Sequence, residues 1–403
     1  MTAPTQVGDR PIDQWLREHT EGLIAIRRNM HAHPELSGEE HATTDLIAER
    51  LLLAGLDPRR LASGTGLVCD LIGDHDPSAP KLALRADIDA LGMADEKDVP
   101  YRSQVDGVSH ACGHDVHTAI VLGTALYYSH HLDELPGPLR FIFQPAEERV
   151  PGGALDVLDD GGLDGVGGVV GLHCDPKLDV GLIGIRTGPI SSAADMAVIR
   201  ISGPGGHTAR PELTVDTVAA AADVIREVPR LLADAIGRPE AVKVVFGSVH
   251  AGDAANVIPA HCDLKASVRT PFAEVWDDLP AAFEAALAEV LAKTSAEYEL
   301  DYTHGVPPVV NARELTEVVR RAAGPELGES SITAAVQSWG GDDFAWYGRE
   351  VGATYVRLGV HDPSSDGPRL DLHAGRFDVD ERAIPVGVRL LIATATEFFT
   401  AGV

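Results

Sequence analysis

The spacing of apolar residues changes along the chain and divides the sequence into predicted helices and strands. Apolar positions three and four residues apart predict helices, whereas short continuous apolar runs predict buried strands. In the N-terminal part these are helices at 11–28 and 39–54, strands at 67–72 and 81–88, a helix at 117–131, a strand at 139–143, a helix at 154–158 and a strand at 166–173. Ser37 and Glu40 form a capping-box pattern at the start of the second helix. Strands that alternate with helices predict a mainly parallel sheet covered on both faces.

A different order of elements begins near residue 193. It consists of a strand at 196–201, a helix at 215–235, strands at 242–249 and 262–269, a helix at 272–293 and a strand at 298–302. The order β-α-β-β-α-β is typical of a ferredoxin-like domain. A helix at 312–323, a strand at 354–358 and a helix at 380–399 then return to the first pattern. The sequence therefore predicts an α/β domain of residues 1–189 and 306–403, interrupted by a ferredoxin-like domain at 190–305.

The net charge of the chain restricts the classes of partner that it is expected to bind. The 403 residues include 33 basic and 61 acidic side chains, for a net charge of −28, with 44% hydrophobic residues. Such an acidic surface repels phosphate backbones and anionic lipid, so neither nucleic acid nor membrane is expected as a partner. The sequence has no run of 18 apolar residues and no export signal at its start. Its four cysteines are too few for a disulfide framework, so a cytoplasmic protein is expected.

Candidate metal ligands occur where predicted strands and helices meet. Cys112 and His114 lie in a loop before a helix, and a thiolate and an imidazole two residues apart are good zinc ligands. Glu147 and Glu148 follow the strand at 139–143, and His173 closes the next strand. Each group alone has an ordinary explanation, such as a helix start with incidental histidines or a solvated acidic turn. Together with His373 near the C-terminus they offer enough ligands for two metal ions that share ligands.

Short stretches along the chain resemble a known family of dinuclear-metal amidohydrolases. This family includes hippurate hydrolase, the aminoacylases and the auxin–amino-acid conjugate hydrolases. The matching stretches lie at 27–37, 85–91, 110–118, 144–148, 205–207, 256–259, 343–345 and 372–377. Each stretch is short, but they occur in the order typical of the family and extend over nearly the whole chain. The ordered set is therefore a specific resemblance.

The resemblance implies roles for the candidate residues in catalysis. Two divalent ions per subunit would be held by five residues: Cys112, His114, Glu148, His173 and His373. Zinc is favoured for this ligand set, although manganese, cobalt or nickel also occupy mixed nitrogen, oxygen and sulfur sites. Glu147 would be the catalytic base. Asp87 would be the carboxylate that orients a ligating imidazole, with Asp89 nearby as the alternative.

The resemblance also implies an architecture and an assembly. The fold would be a metallopeptidase-like α/β/α catalytic domain, with the inserted ferredoxin-like domain acting as a lid and as the dimerisation domain. In such homodimers the lid histidine, here His207, reaches the active site of the other subunit. Asn256 and Arg269 match lid positions that bind a substrate carboxylate, for which a guanidinium is well suited.

Three positions depart from the usual pattern of this family. Val116 stands where glycine is usual, Asp342 where glutamate is usual, and Ala374 with Gly375 where a polar residue and proline are usual. None of them replaces a proposed ligand. They affect the expected substrate preference more than the expected catalysis.

The predicted function is metal-dependent hydrolysis of the amide bond of N-acyl amino acids. The small-molecule substrate would release a carboxylic acid and a free amino acid. Dipeptides and N-acylated biosynthetic intermediates are alternative substrates. A catalytically silent metal-binding scaffold is an alternative of another class, but it would have no need of a free Glu147 beside Glu148. A zinc-dependent deaminase is excluded because its H-x-E…P-C-x-x-C pattern is missing from the sequence.

Overall fold

The chain folds into two compact units. A computed structural model describes residues 10–238, 240–365 and 367–402. Unit 1 comprises Met1–Gly188, Val310–Val336 and Trp346–Val403, and unit 2 comprises Pro189–Val309 and Gln337–Ala345. The predicted insertion at 190–305 lies within unit 2. Residues 337–345, which the sequence analysis assigned to the larger domain, also belong to unit 2.

The first part of unit 1 alternates strands and helices. Its elements are α1 (Pro11–Ala32), α2 (His41–Leu53), β1 (Pro58–Arg60), β2 (Leu67–Leu71), β3 (Lys81–Asp87), α3 (His114–His130), β4 (Leu139–Gln144), α4 (Ala154–Asp159), β5 (Val166–Asp179) and β6 (Ile183–Ile185), followed by the short β7 (Gly188–Pro189). Every residue of β3 and of β4 is buried. Continuous burial explains why these strands read as apolar runs rather than as alternating patterns.

Unit 2 contains a four-stranded antiparallel sheet and two long helices. Its elements are β8 (Ala194–Ser202), β9 (Gly206–His207), α5 (Thr217–Ile236), β10 (Lys243–His250), β11 (Val257–Ile258), β12 (His261–Arg269), α6 (Ala273–Trp276), α7 (Leu279–Leu291) and β13 (Glu297–Val306). The strand order is β10-β12-β8-β13, and β9 pairs separately with β11. On one face Ile199 and Leu264 are fully buried, whereas Met196 and Val245 are exposed on the other. This alternation is typical of a sheet that helices cover on one side.

The chain completes the large sheet of unit 1 after the insertion. The remaining elements are β14 (Val310–Asn311), α8 (Arg313–Leu327), β15 (Ile332–Ala334), α9 (Tyr347–Glu350), β16 (Gly352–His361) and α10 (Ala383–Ala401). The strand order is β1-β2-β4-β3-β5-β16-β6-β15. The central strands β4, β3, β5 and β16 are parallel, but β2 and β6 run antiparallel to their neighbours β4 and β16. The sheet is therefore mixed, with the predicted parallel strands at its centre.

Two local predictions were wrong. The helix predicted at 272–293 is divided into α6 and α7, and Pro280 lies in the first turn of α7, a position where its fixed φ and missing N–H are tolerated. The predicted capping box does not form at α2. Instead the carboxylate of Glu35 accepts hydrogen bonds from the amides of Ala42 and Thr43, and the hydroxyl of Ser37 donates to Asp89.

Helix α10 is long and apolar enough to cross a membrane, although it contains two charged side chains. Half of its most apolar stretch is buried inside the protein. It packs against α3 and α8, and Leu390, Leu391 and Phe398 lie in the hydrophobic core of unit 1. Packing in this core accounts for the apolar character of the helix.

Candidate metal centre

Cys112 and His114 are held by a tight turn at the start of α3. Gly113 between them has φ +87°, a left-handed conformation that glycine adopts without strain. A Cβ atom at this position would lie 2.8 Å from Sγ of Cys174. His114 is the first residue of α3, and Cys112 lies two residues before the helix. Both side chains are buried.

Glu147 and Glu148 lie in a strained turn that follows β4. Ala146 has φ +54° although it is not glycine. Its amide donates to Oε1 of Glu40 at 2.7 Å, and the amide of Glu148 donates to Oδ2 of Asp89 at 3.0 Å. Two buried carboxylates thus hold the backbone of this turn from opposite ends.

His173 and His373 reach the same region from other segments of unit 1. Nδ1 of His173 donates to the carbonyl of Cys174 at 2.7 Å, which leaves Nε2 3.6 Å from Sγ of Cys112. His373 has φ +59°, and its amide donates to the carbonyl of Ala111 at 2.8 Å. Nε2 of His373 lies 3.2 Å from Oε1 of Glu148. The two predicted histidines therefore join the other ligand candidates.

These five residues form one cluster that fits divalent metal. The ligand atoms of Cys112, His114 and Glu148 all lie within 4.8 Å of one another. Among the described residues, Nε2 of His114 is buried without a hydrogen-bond partner, an arrangement that is costly unless another group satisfies it. A thiolate, imidazoles and a carboxylate are the ligand types that zinc and related ions prefer. The cluster could therefore hold metal ions.

The cluster is electrostatically coupled. Burial disfavours a charged imidazole at His114, but Asp87 and Cys112 outweigh burial and raise the pKa of His114 well above its usual value. Hydrogen bonds with Cys112 and Glu148 raise the pKa of His373 to about 10. Burial, with Arg357 nearby, lowers the pKa of His173 well below its usual value. Metal binding at such a cluster releases protons, so affinity rises with pH.

Asp89 is the carboxylate that orients His114. Nδ1 of His114 lies 3.0 Å from the carbonyl oxygen of Asp89 and 3.2 Å from its Oδ1. The same carboxylate accepts hydrogen bonds from the hydroxyl of Ser37 and the amide of Glu148. An imidazole whose second nitrogen is fixed in this way presents the first nitrogen to a metal.

Asp87, to which the sequence analysis gave this orienting role, instead serves another imidazole. Its Oδ1 lies 2.6 Å from Nδ1 of His117, and its Oδ2 lies 2.5 Å from the guanidinium of Arg85. Nε2 of His117 accepts a hydrogen bond from the amide of Cys174. Asp87 reaches Nε2 of His114 only at 3.8 Å. The choice between Asp87 and Asp89 depends on distances that the spacing of the two residues does not reveal.

Glu147 lies at the edge of the ligand cluster. Its Oε2 is 3.9 Å from Nε2 of His114, and its side chain is largely buried with 10% exposure. Glu148, its neighbour, has its Oε1 at the same distance from this imidazole nitrogen. A carboxylate beside a metal cluster, rather than at its centre, is suitably located for moving a proton.

The predicted lid residues lie at two ends of unit 2. His207 on β9 pairs with Val257 of β11, and the carbonyl of Asn256 accepts a hydrogen bond from the amide of Thr208. These exposed residues lie near the start of β12, whereas Arg269 is the last residue of that strand. A nine-residue strand takes eight steps of about 3.4 Å, so its ends are about 27 Å apart. Unit 2 brings His207 and Asn256 together at β9 and β11, and it places Arg269 at the end of β12.

The departures from the expected family pattern have local explanations. Val116 is fully buried in the hydrophobic core of unit 1. The carbonyl of Gly375 accepts a hydrogen bond from the amide of Glu96, and a Cβ atom at residue 375 would lie 2.8 Å from the carbonyl oxygen of Ala94. Asp342 is buried in unit 2, where its carboxylate accepts a hydrogen bond from the amide of Phe344.

Comparison with known proteins identifies relatives along most of the chain. A Rhodococcus jostii protein provisionally named glutamate–cysteine ligase 2-3 is 43% identical over 92% of this chain, but the chain spans only 46% of that relative. The N-acetyl-L-cysteine deacetylase of Bacillus subtilis is 36% identical over 90% of this chain and 84% of its own length. The crystal structure of the Bacillus subtilis YXEP protein, a dinuclear metal-binding peptidase of the M20 family, has 33% identity and a TM-score of 0.82, with 95% of this chain and 99% of that chain covered.

The family assignment rests on these relatives together with a family-wide sequence match. Residues 83–397 match Peptidase family M20/M25/M40. This range includes the ligand cluster, Glu147 and all of unit 2. The ligand types in the cluster are consistent with the dinuclear metal centre of the structural relative. The chain therefore belongs to peptidase family M20/M25/M40 and is a metal-dependent hydrolase of amide bonds.

Proposed function

We propose that this hydrolase cleaves the amide bond of N-acyl amino acids and releases a carboxylic acid and a free amino acid. The observation that carries the proposal is the cluster of five metal-ligand candidates with Glu147 3.9 Å from His114. The similarity to an N-acetyl-L-cysteine deacetylase supports an N-acyl amino acid as the substrate class.

The reaction would use the side chains in separate roles. Two divalent ions, with zinc favoured by the thiol and the histidines, would be held by Cys112, His114, Glu148, His173 and His373. When bound, they polarise the carbonyl and lower the pKa of a water molecule. Glu147 would take a proton from the attacking water and then deliver it to the departing nitrogen. Asp89 would hold His114 in place during both steps.

Unit 2 would act as a ferredoxin-like lid and as the dimerisation domain. The strand order β10-β12-β8-β13, with α5 and α7, supports this assignment. Arg269 would bind the carboxylate of the substrate. His207 and Asn256 lie before β12 and Arg269 at its end, and the two ends of this strand are about 27 Å apart. We therefore propose that two subunits contribute to the site. His207 of one subunit would then donate a hydrogen bond to the developing oxyanion in the other.

We further propose that the protein works in a reducing compartment. All four cysteines are buried free thiols, and structural disulfides are rare in the cytoplasm. We therefore propose a cytoplasmic location, in which Cys112 stays available as a thiolate ligand.

The experiment is an assay of amine release by the metal-loaded protein. Protein purified without added metal is analysed for bound ions and reloaded with zinc, manganese, cobalt or nickel. It is then offered N-acetyl and N-benzoyl amino acids, N-succinyl amino acids and dipeptides. We expect release from the N-acyl amino acids. Release from dipeptides alone would assign a dipeptidase, and no release with any metal would favour a silent metal-binding protein.

A further inference from the structure

Two cations face each other across neighbouring strands of unit 2. Lys243 begins β10, and its partner in the register is Arg269 at the end of β12. Lys243 is exposed, and Arg269 is partly buried. Like charges directly opposite each other destabilise a strand pair, so this pairing calls for a compensating group.

The charge of Asp195 on β8 favours the charged form of Arg269, but Asp195 lies outside ion-pair distance of it. Among the described residues, neither Lys243 nor Arg269 has an ion-pair partner within 4.0 Å. By contrast, Arg200 on β8 is paired with Asp263 on β12 at 2.7 Å. Acidic side chains outnumber basic ones in this chain by 61 to 33, so two neighbouring cations that form no ion pair among the described residues are a distinctive feature.

Trp339 links the two cations and fixes the guanidinium. Its carbonyl accepts a hydrogen bond from Nη1 of Arg269 at 3.1 Å, and its ring lies 3.9 Å from Nζ of Lys243. Nε of Arg269 donates to the hydroxyl of Ser267 at 3.0 Å. Nη2 of Arg269 has no hydrogen-bond acceptor among the described residues. Burial lowers the pKa of Arg269 although the charge of Asp195 opposes this shift, which indicates a partly desolvated cation that an anionic ligand would stabilise.

The segment that carries Trp339 is itself fixed within unit 2. The amide of Ser338 donates to the carbonyl of Ile190, and the amide of Ser192 donates to the carbonyl of Gly340. The carbonyl on one side of Arg269 and the indole ring beneath Lys243 are therefore held in place by backbone contacts. Preorganised donors of this kind lose little conformational freedom when they bind a ligand.

We propose that Lys243, Arg269 and Trp339 form a subsite for a dicarboxylate. The inference rests on the proposed function and narrows its substrate class to N-acyl derivatives of acidic amino acids. Arg269 binds the α-carboxylate, and Lys243 binds the side-chain carboxylate. Cross-strand partners have Cβ atoms about 5 Å apart, so the two cationic groups are spaced for two acids on one small molecule.

The test compares two substrates that differ in one charge, N-acetyl-L-glutamate and N-acetyl-L-glutamine. We expect the wild type to prefer the glutamate compound. In Lys243→Gln this preference should fall by about three- to tenfold through a higher KM for that compound, with kcat unchanged. Lys243→Arg should keep the preference. Lys265→Gln is the matched control, because Lys265 is another exposed lysine on the same strand face as Arg269.

Equal kcat/KM for the two compounds in the wild type would overturn the subsite. An unchanged preference in Lys243→Gln, or the same loss in Lys265→Gln, would do so as well. Calorimetric binding of glutamate and glutamine separates this inference from the proposed function. If no N-acyl compound is hydrolysed but glutamate binds more tightly than glutamine, and Lys243→Gln abolishes the difference, the proposed function fails and the subsite stands. If glutamate and glutamine bind equally, the subsite fails whatever the turnover.

Discussion

Two aspartates at the end of β3 serve different imidazoles. Asp87 holds His117, whereas Asp89 holds His114 and the amide of Glu148. Only the second aspartate contacts two residues of the ligand cluster. At the residue scale, the geometry of the site therefore depends on Asp89 as much as on the ligands themselves.

Asp89→Asn tests this role. The amide keeps one acceptor oxygen but loses the charge that fixes the imidazole of His114. We expect zinc affinity to fall about 10- to 100-fold, measured by competition with a chromophoric chelator. Asp45→Asn, which changes an exposed carboxylate on α2, should leave the affinity unchanged. Wild-type affinity in Asp89→Asn would show that another group orients His114.

Substitutions of the adjacent glutamates separate a base from a ligand. Glu147→Gln should keep its zinc content and lose about 10²- to 10⁴-fold in kcat, because the amide cannot accept the proton from water. Glu148→Gln should lose zinc affinity as well as activity, since its carboxylate lies among the ligand atoms. Both quantities are measured on the same preparations. Near-normal turnover in Glu147→Gln would contradict its assignment as the base.

At the scale of elements, the turn after β4 determines where both glutamates point. Ala146 adopts a positive φ, and its carbonyl accepts a hydrogen bond from the amide of Gly153. The carboxylate of Glu40 is fully buried and accepts a hydrogen bond from the amide of Ala146. Burial raises the pKa of Glu40 above its usual value. The turn is thus held by contacts with two separate segments of the chain.

Gly153→Ala tests how tightly this turn is packed. A Cβ atom at residue 153 would lie 2.0 Å from the carbonyl oxygen of Pro145. We expect the free energy of unfolding to fall by about 1–3 kcal/mol, together with weaker zinc binding as the turn shifts. Gly22→Ala is the control, because nothing lies within 4 Å of the added atom; inside α1 it should be stabilising by about 1 kcal/mol. Urea unfolding measures the free energy of unfolding of both variants. A Gly153→Ala protein as stable as the wild type would contradict the close packing of this turn.

A second prediction at this scale concerns an ionic cluster between helices. Asp13 on α1 bonds to Arg10 and to Arg389 of α10. Burial opposes its charged form, but the hydrogen bonds from the two arginines outweigh burial and hold the pKa of Asp13 below its usual value. The carboxylate therefore stabilises the fold above about pH 4, and this contribution is lost as the pH falls further.

Asp13→Asn should lower the free energy of unfolding at pH 7 by about 1–3 kcal/mol. The difference from the wild type should narrow below about pH 4, because the unfolded wild-type chain then binds a proton at this carboxyl group that the folded state does not bind. Urea unfolding at several pH values measures this trend. Glu18→Gln, at an exposed site on α1, should show little difference at any pH. A constant difference for Asp13→Asn would contradict the pKa shift.

At the scale of the whole molecule, catalysis is proposed to require two subunits. His207 lies on β9, which pairs with β11 before β12, whereas Arg269 is the last residue of β12. A twofold dimer would supply His207 from one subunit and the ligand cluster from the other. The net charge of −28 also repels an anionic substrate in bulk solution. The proposed subsite of Lys243 and Arg269 would provide a local positive potential that binds it.

Mixing two inactive variants tests the shared site. His207→Ala and Glu147→Gln should each be nearly inactive. In a one-to-one mixture of subunits, half of the dimers are mixed and each has one intact site, so activity should recover to about a quarter of the wild type. Mixing Glu147→Gln with His173→Ala is the control. Both lesions lie in the cluster of unit 1, but each subunit would retain its own defect, so no recovery is expected. A monomer by light scattering would contradict the dimer.

The local pattern of the sequence determined the kinds of chemistry and most of the elements. The sequence alone predicts five metal ligands, and the structure places their side chains close together: Cys112, His114, Glu148, His173 and His373. Periodicity identified the long helices and central strands because helix and strand spacing are local properties. It missed the break before α7 and the short strands, which depend on single turns and on pairing with distant segments.

Only the tertiary structure decided how the identified residues are divided among tasks. The sequence does not distinguish Asp87 from Asp89 as the partner of His114. Only the packing of the chain shows that Asp89 orients this imidazole. Asn256 lies before β12 and Arg269 at its end, and the two ends of this strand are about 27 Å apart. Lys243 and Trp339 do not belong to any recognised motif. Lys243 lies opposite Arg269 because of the strand register, and Trp339 contacts Arg269 because residues 337–345 belong to unit 2. The physical reason is that residue type and periodicity are local properties of the sequence, whereas the distances between remote residues are set only when the chain folds and packs.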